Sequence, residues 1–291
     1  MKDFSFEFEA IGTAWKIDLK TKAGELEDLK KLVVERVVEF EQTYSRFRED
    51  SLVAEFSKKA GVYLLPEDSQ KLLDIYFKLH KLTKGLFTPL MGQVLEDAGY
   101  DKNYSLVSKD NFQTIPKLEE CLEYDFPHLK LKKPVKMDFG AGGKGHIVDI
   151  VGELLLKRGV DDFCIDAGGD ILYKNSLGEP LRIGLENPLS SKQAIGVVEV
   201  KDGSLCGSSG NRRKWANFTH IINPKTQKSH TNILATWVSA KSAMVADALA
   251  TCLFLVEAKV LESEFEFEYL KLFEDFSVEK SANFTGELFG V

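Results

Sequence analysis

Two periodicities share this chain, and the places where one gives way to the other divide it. Phe4, Phe6 and Phe8 alternate with polar residues, which predicts strand over residues 4–19, interrupted at Gly12-Thr13. From 24 to 47 the apolar positions Leu26, Leu29, Leu32, Val33, Val37, Phe40, Tyr44 and Phe47 return at helical spacing. A second helix is predicted over 69–83, with Leu72, Leu73, Tyr76 and Leu79 on one face and Asp68 as its cap. Residues 85–92 hold Pro89 and read as a loop. Residues 98–134 are polar and weakly periodic, and read as a surface excursion. A short apolar run at 135–139 predicts a strand. The helical set Ile147, Val148, Ile150, Val151, Leu154 and Leu155 follows, Gly159 stops it, and 163–165 predicts another strand.

After Asp170 the pattern changes. Strand-like segments at 181–185, 194–200, 204–206, 218–222 and 235–240 follow closely, with Gly207-Ser208-Ser209-Gly210 as a small-residue loop. No helix is predicted until 242–256. The tail reads as an acidic amphipathic piece and a terminal strand near Phe284 and Phe289. Helices and strands are thus grouped rather than regularly alternating. The segments after Asp170 read as an antiparallel region rather than as repeated strand–helix–strand units. A single domain over 1–291 is expected, in one body or two lobes.

Between 135 and 173 the order strand, glycine turn, helix, strand aims backbone N–H groups and a helix N-terminus at an anion, most simply a phosphate. Gly140, Gly142 and Gly145 satisfy G-x-G-x-x-G, the dinucleotide-binding fingerprint. The strand-rich continuation argues against that reading, as do Asp138 and Lys144, which put charge beside and inside the loop. Gly143-Lys144 is followed by Gly145 rather than Ser or Thr, so this is no P-loop. A plain glycine-rich turn stays open. A lysine in the first helical turn opposes the macrodipole, and a bound anion would offset that cost, so Lys144 is expected to serve phosphates.

Asp247 lies inside the apolar run of the 242–256 helix, with Thr251 one turn on and on the same face. A buried carboxylate needs a cation. Carboxylate and hydroxyl together present hard oxygens, which suit Mg²⁺ or Ca²⁺ rather than zinc. The alternative is an Asp paired with Lys or Arg and a Thr bonded back to its own helix. Residues 43–51 mix aromatics, hydroxyls and arginines, as either a solvated helix end or a ligand-facing edge.

Composition narrows the partners. The chain is 44% hydrophobic and 29% charged, with net charge −7 and pI near 5.4. It has no basic stripe, so no nucleic acid is expected. No apolar run approaches the ~20 residues of a membrane span, and neither a signal segment nor a lipid-anchor cysteine stands near the start. Cys121, Cys164, Cys206 and Cys252 lack CxxC spacing and read as reduced packing residues of a cytoplasmic protein.

The motifs in order are S-R-F-R-x-D-S, G-x-F-x-P, D-F-G-A-G-G-K-G-H-I-V-D, D-A-G-G-D-I, S-S-G, H-I-I-N-P-x-T and V-A-D-A-L-A-T. Together they resemble the ApbE family, the FAD:protein FMN transferases, over residues 12–256. The resemblance implies an α+β fold of T-fold-like architecture with mixed or antiparallel sheets flanked by helices, FAD as substrate and Mg²⁺ as cofactor. It implies transfer of FMN onto a Ser or Thr of an acceptor flavoprotein with release of AMP, and in some relatives hydrolysis of FAD to FMN and AMP. It assigns metal binding to the Ala141 carbonyl, Asp247 and Thr251. It assigns FAD contacts to Phe47, Phe87, Thr88, Asp138, Lys144 and Ile221, and catalysis to His220 as proton acceptor. Departures from the family pattern are Ile11, Phe47, Thr88, Asn223 and Gln227, which touch the flavin periphery and leave the metal core intact. A non-catalytic flavin binder and an NAD-dependent oxidoreductase are the rival readings.

Overall fold

The computed structural model describes residues 1–210, 214–229 and 232–289. Its largest sheet has eight strands: β1 (Lys2–Ala10), β2 (Thr13–Thr21), β3 (Phe163–Ala167), β4 (Ile171–Lys174), β5 (Gly203–Ser209), β6 (Ile233–Ala240), β7 (Glu268–Phe273) and β8 (Val278–Lys280). They lie side by side in chain order, every neighbour antiparallel. A doubly wound dinucleotide-binding sheet would be parallel. The alternation of Phe4, Phe6 and Phe8 does place one face of β1 inward. Phe6 is buried and Phe8 stacks on Trp15 with centroids 5.4 Å apart.

What interrupts the sheet supplies the helices. Between β2 and β3 come α1 (Leu26–Tyr44), α2 (Ser69–Leu82) and α3 (Gly143–Lys157); between β6 and β7 comes α4 (Ala243–Cys252). They form a layer whose core includes Val33, Val37, Leu72, Leu79, Ile147, Val151, Leu155 and Leu249. The period of two sends neighbouring sheet residues to different layers. Cys206 and Val238 join the helical core, whereas Leu205, Ala235 and Trp237 pack against a second, smaller sheet. That sheet is the hairpin Leu181–Asn187 and Ser190–Val200 with Glu287–Leu288 on its edge.

Several expectations are corrected. Residues 135–139 are not a strand; Val135 and Asp138 each donate singly, to the carbonyls of Phe56 and Pro89. The 98–134 stretch has neither helix nor strand through 117. Beyond that, Leu122–Asp125 and His128–Leu131 pair with each other, and His128–Leu131 also pairs with Gly61–Leu64. They bury Cys121, Leu129 and Leu131, so this part is core rather than surface. Gly207-Ser208-Ser209 continues β5 instead of forming a loop. The strand expected at 218–222 shrinks to Phe218–Thr219. β7, whose sequence EYLKLF has Lys271 at an inward position, was not anticipated. Asp68 stands at the N-cap of α2 but does not cap it, because its carboxylate is taken by Arg36 and Tyr44. All four cysteines are free, three of them buried. Among the described residues no helix is long and apolar enough to cross a membrane.

Candidate functional site

The site is built where α3 meets α4. Gly145, in the first turn of α3, permits the meeting: a Cβ there would lie 2.1 Å from the Ala243 carbonyl oxygen and 2.8 Å from the Asp247 Cβ. The helices therefore touch backbone to backbone. The Gly145 amide donates to Asp247 Oδ2 at 2.9 Å, not to the Ala141 carbonyl four residues back. Asp247 is 3% exposed. Thr251, one turn further, has its hydroxyl 3.3 Å from that of Ser208 on β5. Of the expected metal donors, Asp247 and Thr251 stand one turn apart on α4 at this junction, and Ala141 lies two residues before the start of α3.

Lys144 is directed first at the protein's own anions. Its ammonium pairs with Asp170, in the tight turn after β3, and lies 3.7 Å from Asp247 Oδ1. Asp170 is 1% exposed, and its Oδ1 has no hydrogen-bond partner among the described residues. Two buried carboxylates share one ammonium here, a formal charge of −2 + 1 = −1. Electrostatics reflect the imbalance. Burial, then the Asp170 charge, pushes the Asp247 carboxyl up to about 7 against the pull of Lys144 and the Gly145 amide. Burial alone would lower Lys144, but Asp170 and Asp247 hold it above the ordinary lysine value.

The residues present fit a divalent cation. An orphaned carboxylate oxygen and an unbalanced buried negative charge are both costly without one. Carbonyl, carboxylate and hydroxyl are the hard donors Mg²⁺ takes, and few protein ligands suffice for it. Among the described residues no group of three or more His, Cys, Asp or Glu forms a metal cage.

A cleft of about 520 Å³ opens beside this junction, between the eight-stranded sheet and the smaller one. Thr13, Gly168, Gly169, Ser208, Ile183 and Trp237 are among its walls, and Ser208 joins it to Thr251. Gly168 has φ +67°, and a Cβ on it would lie 1.9 Å from Thr13 Oγ1. Only glycine lets the turn after β3 approach the start of β2 so closely.

The remaining expected residues scatter. Asp138 is at the glycine loop, with both oxygens engaged by its own chain, one by the Gly140 amide at 2.9 Å and one by Arg46. Arg46, absent from the sequence-derived site, is 6% exposed in its side chain and also donates to the Tyr100 carbonyl at 2.8 Å. Phe47 packs with Arg46, Tyr100 and Tyr104. Phe87 is core, 3% exposed and packed against Tyr76. The Thr88 hydroxyl accepts from Leu90 and caps the turn Pro89–Met91. Ile221 is buried with Ile233 and Phe254, and its amide donates to the Thr219 hydroxyl. His220 is half-buried in the turn that Thr219 braces. Asp170 and Arg46 are the functional candidates that sequence reasoning missed; a charge next to a glycine pair, and an arginine inside an aromatic run, were the signals.

Comparison with known proteins places these features. A family model described as the ApbE family matches residues 11–267. The FAD:protein FMN transferase of Buchnera aphidicola subsp. Schizaphis graminum is 25% identical over 285 residues, covering 89% of this chain and 83% of that protein. The FAD:protein FMN transferase of Vibrio cholerae is 26% identical over 272 residues, covering 84% and 79%. In fold, the chain superposes on the ApbE protein of Thermotoga maritima with TM-score 0.84 at 22% identity, covering 98% and 100% of the two chains. For the flavin transferase ApbE of Vibrio cholerae the TM-score is 0.78 at 22% identity, covering 96% of each. The matched span runs from the end of β1 to just before β7 and leaves no residue of the site outside it, so the chain belongs to the ApbE family.

Proposed function

We propose that this chain is a Mg²⁺-dependent transferase that moves FMN from FAD to a Ser or Thr hydroxyl of an acceptor flavoprotein and releases AMP. The observation that carries the reading is the junction of Lys144, Asp170 and Asp247, one buried charge short of neutrality, beside a cleft of about 520 Å³. The names of the relatives support the same donor and product.

Ala141 O, Asp247 and Thr251 would hold the ion. When bound, it would supply charge neutralisation to the pyrophosphate and to the departing AMP. With it the cluster's formal charge changes from −1 to +1, the sign a pyrophosphate needs. Asp170 and Asp247 hold the Lys144 ammonium in place, and the N-terminus of α3 adds its amides and dipole. The acceptor hydroxyl attacks the FMN-side phosphorus. The new O–P bond forms as the bond from that phosphorus to the bridging oxygen breaks, and AMP leaves with that oxygen. His220 accepts the hydroxyl proton.

The test is incubation of the purified protein with FAD, Mg²⁺ and a panel of flavoprotein domains, following AMP by chromatography and FMN attachment by mass spectrometry. AMP release that requires Mg²⁺, with a flavin-mass adduct on one domain, is the expected result. AMP and free FMN without any adduct would mark an FAD hydrolase. Tight FAD without AMP would mark a binder, and NADH oxidation without AMP an oxidoreductase.

A further inference from the structure

Tyr76 sits in the stripe that α2 turns inward, 1% exposed. Its ring meets Phe139 edge-on with centroids 5.1 Å apart and packs against Phe87 at 4.8 Å. As a ring it is an ordinary core residue. Its hydroxyl is not: the oxygen is buried and has no hydrogen-bond partner among the described residues. A buried tyrosine usually finds a partner for its O–H, so an unmatched one in the core calls for a cause.

The ring stands against the glycine loop. A Cβ on Gly142 would lie 3.5 Å from Tyr76 Cε2 and 3.4 Å from the Cβ of Ala248, the residue after Asp247. Loop, α2 and α4 therefore meet at this one point. Burial, then the charges of Asp138 and Asp247, raises the phenol well above its ordinary value, whereas the Ala141 amide pulls it back. That amide faces the phenol oxygen but stops short of full hydrogen-bond geometry. Neither carboxylate accepts the hydroxyl hydrogen. Asp138 is taken by the Gly140 amide and Arg46, and Asp247 by the Gly145 amide with Lys144 nearby. The Ala141 carbonyl also lacks its helical donor, because Gly145 donates to Asp247 instead. A hydroxyl and a carbonyl are thus left over together, on the stretch of chain where the cation and the phosphates are placed.

We propose that Tyr76 is a positioning residue of the cation site, its hydroxyl donating to a water of the ion's shell while its oxygen steadies the Ala141 amide. Mg²⁺ gives up its waters reluctantly and keeps several in most protein sites. Groups that hydrogen-bond its ligands from outside set much of the affinity. Tyr76 touches neither the ion nor the reacting atoms. The proposal rests on the Mg²⁺ reading above and adds a residue that sets how tightly the ion is held.

Mg²⁺ alone is the probe, titrated calorimetrically into the unaltered chain and into Tyr76→Phe, with thermal melts of both in chelator. Phenylalanine keeps the packing against Phe139 and Phe87 and deletes only the hydroxyl. In chelator the variant is expected to melt at the same temperature or higher, since an unmatched buried hydroxyl has gone. Its Mg²⁺ affinity is expected to fall about tenfold to hundredfold. Unchanged Mg²⁺ affinity would overturn the proposal whatever the melting point. A loss of affinity accompanied by a clear fall of the midpoint in chelator would overturn it too, because the hydroxyl would then be holding the fold. If the unaltered chain takes up no Mg²⁺, the ion reading itself fails and this proposal falls with it.

Discussion

Lys144 stands between two buried carboxylates, and that decides what its removal does. Lys144→Met leaves Asp170 and Asp247 facing each other without a cation. Breaking a buried ion pair by removing one partner costs about 3–5 kcal/mol. The variant is expected to melt well below wild type in a chelator, and to recover part of the difference when Mg²⁺ is added; equal melting points in chelator would contradict the geometry. The sequence alone suggested a lysine idle until a phosphate arrives. A pH test reads the same cluster. The unfolded chain gives up the Asp247 proton near the ordinary value of about 3.9, the folded chain near 7. Between those values the folded state holds the extra proton, so metal-free stability falls as pH rises and levels off above about 7. Asp247→Asn should remove that slope from thermal melts recorded between pH 5 and 8. Asp247 and Thr251 were legible because a charge in an apolar helix is anomalous in one dimension. Asp170 was not, because its meaning depends on a lysine 26 positions away.

Elements matter here chiefly where α3 and α4 touch. Asp149 on α3 reaches across to the start of α4, accepting from the Ser242 hydroxyl at 2.6 Å and the amides of Ala243 and Met244 at 2.8 and 3.0 Å. One helix thus caps the next. Asp149→Ala removes that cap at a cost of about 1–2 kcal/mol. Gly145→Ala is expected to be worse, since its Cβ would have to push the Ala243 backbone aside and break the hydrogen bond that the Gly145 amide donates to Asp247. Melting curves with and without Mg²⁺ separate the two variants. Asp149→Ala should keep most of the metal-induced shift and Gly145→Ala should lose it; equal shifts would mean that the helix contact does not shape the metal site. Periodicity made α1 and α2 readable, since each buries an apolar face, whereas α4 was readable as an apolar run that is buried almost all round. β7 escaped because Lys271 at an inward position disguises the run, and residues 135–139 misled because apolar content alone does not form a ladder.

For the whole molecule, the cleft of about 520 Å³ lies between two sheets that pack through a core including Leu185, Val198, Leu205 and Trp237. A ligand in the cleft should therefore tie the Leu181–Asn187 and Ser190–Val200 hairpin to the larger sheet. Added FAD and Mg²⁺ are expected to slow hydrogen exchange of hairpin amides, while α1 stays unchanged. Protection confined to the helical layer would place FAD elsewhere. The antiparallel region after Asp170 was readable from its closely spaced strand-like segments, whereas the pairing of β2 with β3 was not, since no local signal joins residues so far apart.

The arrangement of β1 to β8 in chain order has a consequence for how the protein comes together. From β3 onward, successive strands are linked by modest connections. Thr21 and Phe163, by contrast, enclose α1, α2 and α3 before β2 can find β3. Closing so long a loop carries a large entropic cost until the helices inside it have condensed. The β1–β2 hairpin is therefore expected to dock late. It brings Thr13, which packs against Gly168 at the cleft wall. In refolding experiments, flavin-binding competence should return with that late docking step, after most helical signal has already recovered.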